Sequence, residues 1–219
     1  MVFAAADNRD PQSLASRLRR KRTELFAQLL LPFAEPVRVL DIGGTPSFWL
    51  NNAPALPRRC HITLLNLEPV ADSGLENVKC LVGDARATGF ADGAYDVVFS
   101  NSVIEHVGTL FDQMAMAREV RRVSRAYFVQ TPNRYFPMEP HFLFPFWQFL
   151  PTWFRAALHR RFGLGWMQRQ PDPLLARAGV EQVRLLTTAE MTGLFADAQI
   201  KRERVVGFTK SLIALRPKV

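Results

Sequence analysis

Residues 37–49 read VRVLDIGGTPSFW, and their pattern says more about the fold than that of any other segment. Its first four residues, apart from Arg38, are apolar and predict a short buried strand, which Asp41 ends. Two glycines then let the chain turn sharply and approach a ligand closely. Thr45 is a favourable cap for a helix that begins at Pro46, since proline suits the first helical position. This strand–turn–helix predicts a binding site at the carboxyl end of the strand, where open α/β sheets bind ligands.

Further apolar runs predict the rest of a parallel sheet. They are His61–Leu67, Val78–Val82, Tyr95–Ser100 and Ala126–Thr131. Helical periodicity predicts helices over Ser13–Leu31, which has a basic face, Thr109–Ser124 and Thr188–Asp197. Two final strands, Ile200–Phe208 and Ser211–Leu215, are expected to pair as a hairpin joined by Thr209 and Lys210. Together these elements indicate an α/β fold with a buried sheet covered on both faces.

Polar residues follow four of these strands at the expected ligand-binding edge: Asp41, Glu68, Asp84 and Asn101. The turn lacks both the G-x-G-x-x-G pattern of dinucleotide folds and the G-x-x-x-x-G-K-S/T pattern of P-loops. A carboxylate after the first strand disfavours a phosphate and suits a cationic amino group. A carboxylate after the second strand can accept hydrogen bonds from a ribose diol. Each residue alone is compatible with a solvated turn, but the four together favour a nucleoside-binding site.

Five motifs resemble the class I S-adenosylmethionine (SAM)-dependent methyltransferases, most of all the methyltransferase type 11 group. They are VLDIGG (39–44), LLNLEP (64–69), VGDAR (82–86), YDVVFSNSVIEHV (95–107) and FVQTPNRYFPMEPH (128–141). The resemblance covers roughly residues 37–140. It implies a Rossmann-like α/β fold, with a seven-stranded, mostly parallel sheet, a terminal antiparallel strand and helices on both faces. It also implies SAM as the methyl donor.

The same resemblance assigns residues to the parts of SAM. Asp41, Gly43 and Gly44 are expected to line the methionine, Glu68 to hold the ribose hydroxyls, Asp84 and Ala85 to contact the adenine, and Asn101 and Ser102 to lie near the methyl group. Thr45 is also expected to bind SAM. The sequence departs from the family's D/E-x-G-x-G-x-G pattern at its last two glycines, which are Thr45 and Ser47 here.

Methyl transfer from a sulfonium is an in-line displacement, in which positioning lowers much of the barrier. A general base contributes where the acceptor must lose a proton. The candidate catalytic residues are His106, His141 and Glu139, although each histidine is also compatible with a purely structural hydrogen bond. The residues expected to bind the acceptor come after the fifth strand: Asn133, Arg134, Tyr135 and Trp147.

The sequence therefore predicts a SAM-dependent methyltransferase that acts on a small molecule or on a glycan or lipid precursor. The net charge of +8, from 28 basic and 20 acidic residues, keeps an RNA or DNA methyltransferase open as an alternative. Against a nucleic acid, the basic residues are dispersed and no N-P-P-Y-like motif follows the fourth strand. A non-catalytic SAM-binding partner protein is a further alternative.

We expect one methyltransferase domain over residues 1–219, with an N-terminal basic helix in residues 1–32 and an aromatic-rich insertion at residues 133–170. The insertion is interpreted as a lid over the acceptor, a surface for peripheral contact with the inner face of a membrane, or a small subcore or dimer contact. The N-terminus does not resemble a signal peptide, which predicts a cytoplasmic location. Cys60 and Cys80 are isolated, so neither a disulfide framework nor a metal site is expected from them.

Overall fold

The computed structural model describes residues 12–52, 56–71 and 74–218. The first part of the predicted N-terminal basic segment, residues 1–11, lies outside the described residues. The strands are β1 (Val37–Ile42), β2 (Cys60–Asn66), β3 (Val78–Val82), β4 (Tyr95–Asn101), β5 (Ser124–Pro132), β6 (Met138–Glu139), β7 (Phe144–Pro145), β8 (Gln199–Val205) and β9 (Phe208–Arg216). The helices are α1 (Leu14–Leu30), α2 (Pro46–Asn52), α3 (Leu110–Val123), α4 (Thr152–Arg161), α5 (Pro173–Glu181) and α6 (Thr188–Leu194).

A seven-stranded sheet with the order β3-β2-β1-β4-β5-β9-β8 forms the centre of the molecule. Strands β1 to β5 run parallel, whereas β9 is antiparallel to both of its neighbours, β5 and β8. The last strand of the chain is thus the antiparallel one, and it lies one place in from the edge. This arrangement confirms the predicted Rossmann-like fold.

Helices cover both faces of the sheet, because the strands are apolar on both sides. On one face, Phe26 and Leu30 of α1 and Trp49 of α2 pack over β1, β2 and β4. On the other face, α3 and α6 pack through residues such as Met116 and Met191. The connection from β3 to β4, residues 83–94, contains no helix.

Capping residues explain where the two longest helices begin. The Ser13 hydroxyl accepts a hydrogen bond from the Ser16 amide at 3.0 Å, which starts α1 one residue inside the predicted bound. Thr109 and Asp112 form a reciprocal capping box at the start of α3. Both predicted helices are confirmed within one residue at each end.

The hairpin at the end of the chain turns at a different place from the one predicted. Val205 pairs with Phe208, so the turn consists of Val206 and Gly207, and Thr209 and Lys210 belong to β9. Both turn residues have positive φ, 48° and 83°, as two-residue type I′ turns require. The prediction was wrong because valine disfavours that conformation and does not signal a turn.

The aromatic-rich insertion contains its own small core. Phe142, Trp147, Ala156 and Val180 are buried together where α4 packs against α5. Other aromatic residues of the segment, such as Trp153, remain exposed. Among the described residues, no helix is long and apolar enough to cross a membrane.

Candidate active site

The strand order places the four predicted strand-end residues along one edge of the sheet. In the order β3-β2-β1-β4, the residues at the carboxyl ends are Asp84, Glu68, Asp41 and Asn101. This is the order in which the resemblance assigns adenine, ribose, methionine and the methyl group. Strands β2 and β3 lie on one side of β1, and β4 and β5 lie on the other. Ligands of open α/β sheets bind in the crevice at such a switch in strand order.

The buried side chain of Asp41 packs against the loop that follows β1. The residue is 1% exposed, and Oδ2 accepts a hydrogen bond from Trp49 Nε1 at 2.8 Å. Burial raises the pKa of Asp41 to about 8, although the bond from Trp49 acts in the opposite direction. A Cβ atom on Gly44 would lie 1.7 Å from Asp41 Oδ2, so only glycine fits above this carboxylate.

The top of the loop is exposed and is tied to β2. The Gly43 amide donates to the Leu65 carbonyl at 2.8 Å, and Asn66 Nδ2 donates to the Gly44 carbonyl at 3.0 Å. Gly43 has a φ of +74°, which favours glycine. The hydroxyls of Thr45 and Ser47, which stand where the family has glycines, lie 3.1 Å apart. The loop is therefore held in place by contacts within this chain.

The chemistry of the next two strand ends fits a nucleoside. Glu68 is exposed and makes no hydrogen bond with any residue that the structure describes, so both of its oxygens can accept from ribose hydroxyls. Asp84 is half-buried and bound by the Arg86 guanidinium, whose hydrogen bonds lower the pKa of Asp84. Ala85 is buried beside it. SAM fits this edge, with Glu68 as the free acceptor for its ribose.

An arginine that the sequence analysis did not single out organises the end of β4. Arg22 of α1 pairs with Glu203 and donates to Asn101 Oδ1 at 3.1 Å and to Gln130 Oε1 at 3.0 Å. The same Gln130 oxygen accepts a hydrogen bond from the Ser102 hydroxyl at 3.0 Å. Arg22 thus fixes the two residues predicted to lie near the methyl group, although it is about 80 residues away in the sequence.

Asn101 and Ser102 line a cavity of about 520 Å³. Its other walls come from α1, from the beginning of the insertion and from β9. The apolar lining residues are Leu14, Ala15, Pro132, Phe136, Met138, Pro140, Leu143 and Trp166, and the remaining ones are Arg19, Arg22, Gln130, Lys210 and Ser211. The cavity therefore adjoins the end of the edge where the methyl group of SAM is expected.

The catalytic candidates form one cluster, together with Glu105. A carboxylate oxygen of Glu105 and a ring nitrogen of each of His106 and His141 lie within 4.8 Å of one another. His141 Nδ1 lies 2.6 Å from Glu139 Oε1, and Glu139 Oε2 accepts hydrogen bonds from the amides of His141 and Phe142. His141 follows Pro140 in the chain, and His106 follows Ser102 by four residues; Pro140 and Ser102 line the cavity of about 520 Å³, whereas Glu139 lines a separate cavity of about 160 Å³.

The electrostatics of the cluster differ from residue to residue. Burial raises the pKa of Glu105 to about 7. Although His106 is exposed, loss of hydration at its ring and the adjacent His141 lower the pKa of His106 to about 4. Burial acts to lower the pKa of His141, but the hydrogen bond and charge of Glu139, together with Glu105, outweigh it and leave that pKa raised.

None of the four residues predicted to bind the acceptor is among the residues that line this cavity. Trp147 is 1% exposed and packs against Phe142 in the core of the insertion. Asn133 is buried and donates to the Thr209 carbonyl, Tyr135 is exposed, and Arg134 borders a separate cavity of about 160 Å³. The aromatic residues of this segment that line the acceptor-sized cavity are Phe136 and Trp166. The hydrophobic pattern of the sequence could not distinguish Phe136 and Trp166 from the other aromatic residues, because the chain has no regular helix or strand at these two positions.

Comparisons with known proteins point to methyltransferases. Residues 40–126 match a family model described as a methyltransferase domain. No curated protein matches the chain. A SAM-dependent methyltransferase from Aquifex aeolicus has a similar structure, with 16% identity, a TM-score of 0.51 and coverage of 93% of each chain.

Two further solved structures share the fold. The YcgJ protein from Bacillus subtilis is 18% identical, with a TM-score of 0.53, over 84% of this chain and 70% of its own. An O-methyltransferase family protein from Burkholderia thailandensis is 15% identical, with a TM-score of 0.57, over 96% of this chain and 58% of its own. The chain thus matches a methyltransferase domain over residues 40–126 and has the fold of the SAM-dependent methyltransferases, whose cofactor is SAM.

Proposed function

We propose that this methyltransferase acts on a small acceptor with an apolar body and an anionic group, as lipid and glycan precursors have. The cavity of about 520 Å³ beside Asn101 and Ser102 is the observation that carries the proposal. Pockets for small molecules measure about 300–1,000 Å³ and are lined mainly by apolar groups with a few polar ones. The cavity has that size and that lining.

The charges at the cavity support an anionic group on the acceptor. Arg22 is compensated by Glu203, but Arg19 and Lys210 make no ion pair with any residue that the structure describes. Burial lowers the pKa of both Arg19 and Lys210, and the charge of Arg22 lowers both further, although the charge of Glu203 acts in the opposite direction on Lys210. An anionic group between Arg19 and Lys210 would stabilise their charged forms, since charge-assisted hydrogen bonds are among the stronger ones.

SAM, when bound, supplies a methyl group on a sulfonium, which the acceptor takes by in-line displacement. Glu68 would hold the ribose, and Asn101 and Ser102 are held in place at the junction of the donor edge and the cavity. Phe136 and Trp166 line the cavity and would exclude water from the acceptor. Positioning of this kind can supply on the order of 7–11 kcal/mol of a barrier.

We propose that the cluster of His106, His141 and Glu139 removes the proton of the acceptor. The contact of His141 Nδ1 with Glu139 orients the imidazole and leaves its other nitrogen for a further partner. A hydroxyl or amine acceptor that reaches the cluster from the cavity would lose its proton there. A general base contributes about 10²–10⁴ in rate.

The donor part of the proposal is tested by calorimetry with SAM and S-adenosylhomocysteine. We expect binding of both by the wild type and weaker binding by Asp41→Ala and Glu68→Ala. Absence of binding by the folded wild type would contradict catalysis with SAM.

The acceptor part is tested with labelled SAM and an extract of the source cells. We expect labelled product in the small-molecule or lipid fraction. The Arg19→Ala/Lys210→Ala double variant should lower kcat/KM by at least about 100-fold without changing SAM binding, because each of the two lost charge-assisted bonds costs about 1.5–3 kcal/mol. Arg17→Ala, at an exposed position of the same helix, is the control. Label in nucleic acid, or equal activity of the double variant, would contradict the proposed acceptor.

Peripheral contact with a membrane would bring a lipid-linked acceptor to the enzyme, and α4 supports it. Trp153 is 72% exposed, and Phe154, Arg160 and Arg161 are exposed on the same helix. Aromatic and basic groups side by side suit an anionic membrane surface. We expect the protein to float with anionic vesicles, Trp153→Ala to float less, and Phe111→Ala, which removes a separate exposed aromatic on α3, to float as the wild type does. Absence of flotation of the wild type would contradict the contact.

A further inference from the structure

We propose that Glu105, His106 and His141 bind a divalent transition-metal ion. The three residues offer one carboxylate oxygen and two imidazole nitrogens, all within 4.8 Å of one another. Two histidines and one carboxylate are a common ligand set for zinc and for non-haem iron, whereas magnesium and calcium prefer oxygen ligands. The ion expected here is therefore zinc or another first-row metal.

The relative position of the two imidazole rings fits a shared ion. Two imidazoles bound to one tetrahedral ion at about 2.0–2.1 Å have ring centroids about 5 Å apart. The rings of His106 and His141 have centroids 4.9 Å apart and an interplanar angle of 89°. Edge-to-face aromatic pairs have the same distance and angle, so the ring geometry permits a shared ion, and the carboxylate of Glu105 has to point to it.

An unpartnered buried oxygen points to the same site. Glu105 is 0% exposed, and its Oε2 accepts a hydrogen bond from the Thr131 hydroxyl at 2.9 Å. Its Oε1 is buried and has no hydrogen-bond partner among the described residues. A buried carboxylate oxygen without a partner is costly, and a bound cation would remove that cost.

Neighbouring groups hold the ligands as they do in known metal sites. Glu139 binds His141 Nδ1, which leaves Nε2 as the ligand atom, and carboxylate–histidine–metal arrangements of this kind are typical. The Arg184 amide donates to the Glu105 carbonyl at 2.8 Å, which fixes the backbone of the first ligand. Because the ligands come from two segments about 35 residues apart, the spacing of cysteines and histidines in the sequence did not predict this site.

The catalytic consequence rests on the proposed function, whereas the binding of the ion does not. Three protein ligands leave one coordination position for water or for an acceptor hydroxyl, as in catalytic zinc sites. The ion would polarise the O–H bond, and the proton would pass to solvent. The oxygen would use the electron pair it keeps to bond the methyl carbon of SAM, while the S–CH₃ bond breaks and S-adenosylhomocysteine leaves. His106 and His141 would then act as ligands, and proton removal would depend on the ion.

Zinc chloride titrated into chelator-treated enzyme, without SAM or acceptor, tests the site by calorimetry. We expect one Zn²⁺ per chain in the wild type and in His61→Ala, which alters an exposed histidine at the other end of the sheet. His106→Ala and His141→Ala should weaken binding at least tenfold, and Glu139→Gln by about 10- to 100-fold. Cobalt absorption in the visible range reports whether histidine nitrogens coordinate the ion, and circular dichroism reports whether each variant is folded.

Two outcomes would overturn the proposal. The first is the absence of zinc and cobalt binding by the folded wild type. The second is binding that folded His106→Ala and His141→Ala retain unchanged, which would place the ion elsewhere, for example at Cys60 or Cys80. Both outcomes leave SAM binding unaffected, so they are distinguishable from failure of the proposed methyl transfer.

Discussion

Replacement of Asp41 by asparagine should change how the stability of the enzyme depends on pH. Asp41 is buried beneath Gly44, and burial raises its pKa from 3.8 to about 8. In the unfolded chain the carboxyl has its ordinary pKa, so between about pH 4 and pH 8 the folded state holds a proton that the unfolded state has lost. Asparagine has nearly the same shape and can still accept a hydrogen bond from Trp49.

The sign and the magnitude follow from this difference in bound protons. Because the folded state binds more protons in this range, the contribution of Asp41 to stability is greatest at low pH and decreases as the pH rises towards about 8. One pKa unit corresponds to about 1.4 kcal/mol, so the wild type should lose about 2–3 kcal/mol between about pH 5.5 and pH 7.5 through this group. Asp41→Asn should not undergo this loss.

Urea unfolding of both proteins at a series of pH values measures the effect. The free energy of unfolding of Asp41→Asn, minus that of the wild type, should increase by about 2–3 kcal/mol over the same range. Asp96→Asn is the control: burial acts to raise the pKa of Asp96, but Arg38 outweighs it and leaves that pKa lowered, so its difference from the wild type should be flat. A flat difference for Asp41→Asn as well would mean that Asp41 is ionised in the folded enzyme and would refute the reasoning.

Two further substitutions test the donor-binding edge. Glu68→Ala should raise the Kd for SAM by about 10- to 100-fold in calorimetry, because hydrogen bonds to a charged group contribute about 1.5–3 kcal/mol, whereas exposed Glu76→Ala should not change it. An unchanged Kd would exclude Glu68 from the ribose site. Gly44→Ala should lower the free energy of unfolding by about 1–3 kcal/mol or more and weaken SAM binding, since the new Cβ meets the buried carboxylate of Asp41. Gly193→Ala is the control: Gly193 lies in a helix with open space around it, so the free energy of unfolding should equal or exceed that of the wild type. If Gly44→Ala were as stable as the wild type, the packing argument would be wrong.

Local signals were sufficient for most of the fold. Buried parallel strands are nearly continuous apolar runs, so β1 to β5 could be located within two residues at each end. The helix that follows Ser13 and the helix that follows Thr109 begin where their caps predict. The hairpin turn was misplaced because Val206 adopts a backbone conformation that its residue type disfavours, and the pairing of β8 with β9 imposes it.

The row of polar residues at one edge of the sheet could be predicted because parallel strands bring their carboxyl ends to one side of a sheet. Glu68, Asp84 and Asn101 needed only their position after a strand to be placed there. The acceptor side could not be predicted in this way. Arg19 and Lys210 line the same cavity although they come from opposite ends of the chain, and Trp147 is buried while Trp166 lines the cavity.

The order of strands and helices, and the row of polar groups at the carboxyl ends of the parallel strands, followed from the amino-acid sequence because they depend on local hydrophobic patterns and on strand direction. The tertiary structure alone decided that Arg22 orients Asn101, that the carboxylate of Asp41 lies beneath Gly44, and that His141 approaches His106. Such contacts join segments far apart in the chain. They depend on how helices and loops pack on the sheet, and no local pattern of residues encodes that packing.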